Sequence, residues 1–107
     1  MSEDVFAKIK SQIESNKVVV YMKGTRLMPQ CGFSAATVEI LDSLGVPFET
    51  VDVLSDPEIR EGIKRFSNWP TIPQVYANGR FIGGSDIVHE MHERGELAPL
   101  LEEALKK

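Results

Sequence analysis

One stretch, Lys17–Met22, limits the fold more than any other. It carries Val18, Val19, Val20 and Tyr21 in succession, so an extended chain here presents apolar side chains to both sides. Such a strand is stable only when both faces are covered, at the centre of a sheet flanked by other elements. The rest of the sequence must therefore supply two covering layers and the neighbouring strands. With 42% hydrophobic residues over 107 positions, the chain has enough apolar side chains for one core, and residues 1–107 read as a single domain.

The covering helices show in the hydrophobic period. Val5, Phe6, Ile9 and Ile13 recur at helical spacing and predict a first helix over residues 3–15. Phe33, Ala36, Ile40 and Leu44 do the same over residues 32–44, where Gly45 offers a stop. Asp56-Pro57-Glu58 opens another helix, with Asp56 as cap, Pro57 at the first position, and Ile59, Ile63 and Phe66 on the apolar face. Phe48–Val53 reads as a second strand. Gln74–Ala77 and Arg80–Ile82 flank Asn78-Gly79, the strongest short hairpin signal. Ser85 or Asp86 then caps a helix running to about Arg94, and a last helix carries Leu97, Leu100, Leu101 and Ala104. The order α-β-α-β-α-β-β-α-α puts two parallel strands first, joined by a right-handed crossover, and an antiparallel hairpin after them. The predicted architecture is α/β: a four-stranded mixed sheet with helices on both faces, the thioredoxin-like arrangement, with an extra N-terminal helix. That fold hosts several functions, so function must be argued from a site.

Charge and cysteine usage narrow the classes. A net charge of −4 without a basic cluster argues against sequence-independent nucleic-acid binding, which needs a cationic face. No apolar run approaches the ~20 residues that span a bilayer, so no membrane partner is expected. Met1-Ser2-Glu3-Asp4 lacks the basic and apolar regions of a signal peptide. A lone cysteine forms no internal disulfide and suggests a reducing compartment. The cytoplasm is the expected location, or the plastid stroma if a transit peptide has been removed.

That cysteine, Cys31, follows a loop and immediately precedes a helix. Unpaired N–H groups and the helix dipole favour negative charge there and lower a thiol's pKa from ~8.5. Lys23, at the end of the preceding strand, adds a cation. A buried, inert thiol is the plainer reading of any single cysteine, but a helix start flanked by Pro29 and Gly32 favours the reactive one. Cys31-Gly32-Phe33-Ser34 completes a pattern that resembles the CGFS-type monothiol glutaredoxins. Met22-Lys23-Gly24, Pro29-Gln30-Cys31-Gly32-Phe33-Ser34, Trp69-Pro70-Thr71-Ile72-Pro73-Gln74 and Gly83-Gly84-Ser85-Asp86 match in order, so the resemblance covers nearly the whole chain. It is most similar to single-domain bacterial, cyanobacterial and plastid members.

The resemblance implies a glutaredoxin fold with Cys31 as the catalytic thiol. Ser34 stands where dithiol relatives carry a second cysteine, so the second thiol must be borrowed, and the family implies glutathione as its source. Thr71, Ile72 and Pro73 resemble the cis-proline loop, whose Ile72 backbone would pair with the tripeptide. Gly84, Ser85 and Asp86 would take the γ-glutamyl end, and Lys23 and Arg60 the glycyl carboxylate. Each has a plainer reading beside it: a rigid turn at Pro73, an ordinary cap at Ser85 or Asp86, a solvated charge at Arg60. Trp69 and Phe33 suit a core, although the resemblance puts Phe33 near the thiol. His89 and His92, without a third ligand nearby, read as a solvated helix face.

A [2Fe–2S] cluster usually takes four thiolates. Two copies of Cys31 and two glutathiones make that number. The implied function is an iron–sulfur cluster carrier or scaffold in cluster assembly and iron homeostasis, with Cys31 as metal ligand and a homodimer bridged by the cluster. Apo iron–sulfur proteins would be recipients and BolA-like proteins partners. The alternative is a glutathione-dependent oxidoreductase that reduces protein–glutathione mixed disulfides. The Thr25–Gln30 loop is longer than in dithiol glutaredoxins, and the family associates that loop with weak oxidoreductase activity and cluster binding.

Overall fold

A computed structural model describes residues 3–106. β1 (Val18–Met22) is buried along its whole length. It runs parallel to β2 (Glu49–Asp52) and antiparallel to β3 (Gln74–Ala77), and β3 turns back into β4 (Arg80–Gly83). The sheet order is β2-β1-β3-β4, a four-stranded mixed sheet as the strand pattern predicts.

Alternate β1 side chains go to opposite layers. Val19 and Tyr21 pack with Val5, Ile9, Ile13, Ile59 and Ile63, carried by α1 (Glu3–Ser15) and α3 (Pro57–Ser67). Val18, Val20 and Met22 pack with Val38, Leu41, Val88, Leu97 and Leu101. Those belong to α2 (Gly32–Leu44), α4 (Ser85–Glu93) and α5 (Leu97–Lys106). Burying each such side chain contributes about 1.5–3 kcal/mol relative to exposure, so β1 alone strongly favours cover on both faces. Among the described residues, no helix is long and apolar enough to cross a membrane.

The punctuation follows local chemistry. Asp56 caps α3, its side chain accepting from the Ile59 N–H at 3.3 Å, and Lys8 of α1 reaches it at 3.2 Å. Asn78 and Gly79 both take positive φ (52° and 81°), which a tight hairpin between right-twisted strands requires.

Two details depart from the sequence pattern. The apolar repeat of α2 marks a helix but not its innermost face: Ser34, Thr37, Val38 and Leu41 are buried, whereas Phe33 is 65% exposed. Small hydroxyl side chains can be buried there because each finds a partner. The Ser34 hydroxyl accepts from the Lys23 N–H (3.1 Å), and the Thr37 hydroxyl donates to the Phe33 carbonyl (3.0 Å). The cap of α4 is Gly84, with no side-chain capping bond, so Ser85 and Asp86 are its first helical residues instead.

Candidate functional site

β1 ends at Met22, and a loop carries the chain from there to the start of α2. The intervening loop is pinned at both ends and in the middle. The Gly24 N–H donates to Asp52 Oδ1 (2.9 Å) and the Gln30 N–H to the Lys23 carbonyl (2.8 Å). Thr25 and Met28 exchange backbone hydrogen bonds (3.2 and 3.1 Å). Arg26 pairs with Asp42 and lies 3.8 Å from the centre of the Phe48 ring. Gly24 is obligatory: at φ 90° an added Cβ would meet the Gln30 nitrogen and Met28 oxygen at 2.6 Å.

This loop delivers Cys31 to the cap position of α2, in extended conformation (φ −151°, ψ 135°). The thiol is half-buried and free, and it closes no cap hydrogen bond. Its anion is what the surroundings favour. The Ser34 backbone N–H is the largest influence lowering the thiol pKa; the Phe33 N–H, the Lys23 charge and the Ser34 hydroxyl add to it, against partial burial. Cys31 therefore sits below the ordinary thiol range.

Beside the thiol runs a groove of about 480 Å³. Its lining includes Lys23, Cys31, Phe33, Lys64, Trp69, Thr71, Ile72, Pro73, Gly84, Ser85 and Asp86. Of the residues singled out from sequence, the structure thus brings together Lys23, Cys31, Thr71, Ile72, Pro73, Gly84, Ser85 and Asp86. The Ile72–Pro73 bond is cis. Gly84 gives the groove depth: a Cβ there would stand 3.1 Å from Trp69 Nε1 and 3.3 Å from the Pro73 carbonyl. With no side chain capping α4, its first-turn N–H groups are available to an anion.

Arg60 is not in the lining; it is half-buried, and its Nε is buried without a hydrogen-bond partner. Lys64, one turn further along α3, lines the groove instead. Both residues lie on one helical stripe, so the position of α3 along its own axis, rather than its roll, decides between them. His89 pairs with Glu93 on the same helix (2.9 Å).

Two lysines, the carboxylate of Asp86 and a nucleophilic sulfur lining one groove suit a small zwitterionic thiol or disulfide. The glutaredoxin family profile matches residues 18–82. A protein named as an uncharacterized monothiol glutaredoxin, ycf64-like, from Synechocystis is 61% identical over 105 residues, covering 98% of each chain. The chain belongs to the monothiol glutaredoxins. Among solved structures, reduced apo GrxS14 from poplar superimposes with a TM-score of 0.85 at 45% identity, over 96% of this chain and 94% of that one. A buckwheat glutaredoxin–glutathione complex gives 0.85 at 27% identity, over 97% and 96%. The family's fold is the sheet and helices described above.

Proposed function

We propose that this monothiol glutaredoxin binds glutathione in the Cys31 groove and, as a homodimer, carries a [2Fe–2S] cluster to apo iron–sulfur proteins. The observation that carries this reading is one activated thiol beside a peptide-sized groove, with the buried Ser34 hydroxyl in the place of a second. Ser34 is committed to the Lys23 N–H, and Cys31 is the one cysteine in the chain. A site of this kind completes a reaction or a ligand set only with thiols brought from outside.

In the proposed assignment, the Ile72 backbone pairs with the cysteinyl unit of glutathione in the manner of an added strand. The Gly84–Asp86 helix start takes the γ-glutamyl end: N–H groups to its carboxylate, and Asp86 to its ammonium. Lys23 holds the glycyl carboxylate, joined by Arg60 if it turns inward or by Lys64 as it stands. Cys31 is the protein's one ligand to the cluster, so the dimer is held by its cargo, and non-covalent glutathione ligands make that cargo exchangeable. A BolA-like protein replacing one copy, and residence in the cytoplasm or plastid stroma, belong to the same proposal.

A second reading rests on the lowered Cys31 pKa. The thiolate attacks the glutathione sulfur of a protein mixed disulfide, releasing the protein thiolate and forming a Cys31–glutathione disulfide. A second glutathione thiolate then attacks that glutathione's sulfur, giving oxidised glutathione and free Cys31.

Anaerobic reconstitution with iron, sulfide and glutathione, followed by visible absorption and sizing, tests the first reading. A glutathione-dependent, dimeric chromophore lost in Cys31→Ser is expected. Its absence in wild type, together with brisk turnover in a glutathione-coupled reduction assay, would make the second reading primary.

A further inference from the structure

Gln74 is completely buried yet polar at both ends of its amide. Its Nε2 donates to the Trp69 carbonyl (3.1 Å) and the Thr71 carbonyl (3.2 Å), and its Oε1 accepts from the Tyr76 hydroxyl (3.1 Å). Burial pushes the Tyr76 phenol up to about 12, so that hydroxyl keeps its proton at working pH and donates. A buried amide returns little net folding energy over a well-packed apolar side chain of the same volume. A reason for the polar choice lies in the segment it holds. Of the five residues from Trp69 to Pro73, two are proline and offer no N–H, so this wall of the groove has few backbone donors of its own. Gln74, the first residue of β3, ties two of its carbonyls to the sheet.

We propose that Gln74 is a positioning residue: by anchoring the Trp69 and Thr71 carbonyls it holds the backbone around Ile72 in the shape that pairs with an extended peptide ligand. This rests on the reading of the groove as a glutathione site. Gln74 acts on ligand affinity and leaves the reactivity of Cys31 alone, because its amide is committed to the Trp69 and Thr71 carbonyls and the Tyr76 hydroxyl and Gln74 is not among the groups that shift the thiol. Tyr76 acts through Gln74, by fixing which way the amide points.

The test uses the full chain and S-methylglutathione, which has the tripeptide's groups but no free thiol to exchange. Calorimetric Kd values are measured well below the melting temperature for wild type, Gln74→Met, Tyr76→Phe and the double variant, alongside the pH profile of Cys31 alkylation. Gln74→Met is volume-matched and should weaken binding about tenfold, the scale of one to two lost hydrogen bonds. Tyr76→Phe should weaken it about threefold, and the double variant no more than Gln74→Met alone. The alkylation profile should stay where it is. A purely structural role would lower the melting temperature and leave the Kd of the folded protein unchanged, which overturns the inference; so does full additivity of the two substitutions. If Gln74→Met fails to fold, the Tyr76→Phe Kd decides, an unchanged value overturning the inference. Wild type that binds no S-methylglutathione overturns the groove reading first and this inference with it.

Discussion

Ser34→Ala separates two influences that share one residue. The Ser34 side chain is fully buried, and its hydroxyl accepts from the Lys23 N–H at 3.1 Å. Its backbone N–H is the largest influence lowering the Cys31 pKa, and its hydroxyl is among the smaller ones. Alanine keeps the N–H and removes the hydroxyl. The Lys23 N–H then lacks an acceptor, which costs ~1–2 kcal/mol, the lower part of the usual range because this bond is only partly shielded. The better helix propensity of alanine recovers about 0.5 kcal/mol at most. The expected net loss is ~1 kcal/mol, or about 4–8 °C in melting temperature for a chain of this size. The thiol should remain below its ordinary range, because the N–H groups of Ser34 and Phe33 and the charge of Lys23 are untouched. Guanidinium unfolding under reducing conditions reads the first quantity, and iodoacetamide alkylation against pH reads the second. An alkylation midpoint returning to ~8.5 would refute the argument, since the hydroxyl rather than the helix start would then be activating Cys31.

Three further outcomes are expected. Gly24→Ala forces a Cβ within 2.6 Å of two backbone atoms at φ 90° and should cost more than ~2 kcal/mol; a loss below about 0.5 kcal/mol would show that the loop is not pinned as described. The depressed Cys31 pKa means that the unfolded chain binds more protons than the native one between the folded value and ~8.5, so its contribution to stability rises with pH across that window. The contribution is full above ~8.5 and lost as pH falls through the folded value; a wild-type minus Cys31→Ser difference that is flat with pH contradicts this. Lys64→Gln should weaken S-methylglutathione binding about threefold, as a partly exposed charge contact does. A larger loss in Arg60→Gln than in Lys64→Gln would show that Arg60 turns into the groove on binding.

Much of the fold was legible because its signals are local. The Val18–Tyr21 run required a central strand, Asp56-Pro57 a helix start, and Asn78-Gly79 a hairpin; each depends on backbone preferences that neighbours in space only reinforce. The α2 face was misplaced by one position because Ser34 and Thr37 look like surface residues until their hydrogen-bond partners are known. Gly84 as the cap of α4 was missed for a related reason. Ser85 and Asp86 are better capping residues in isolation, but the close approach of Trp69 and Pro73 selects the residue without a Cβ.

The same division runs through the site. Sequence by itself determined that Cys31 stands alone before a helix and that Ser34 follows it by three residues. These are statements about composition and short spacing, which folding cannot change. Only the tertiary structure decided which distant residues share the groove with that thiol: Lys64 rather than Arg60 on α3, and the Gly84 helix start together with Lys23. It also decided that Gln74, unmarked as a functional residue by the sequence, braces the proline-rich wall. Those choices depend on the placement and packing of whole elements against the sheet, which are set by the summed burial of many side chains and not by any one of them.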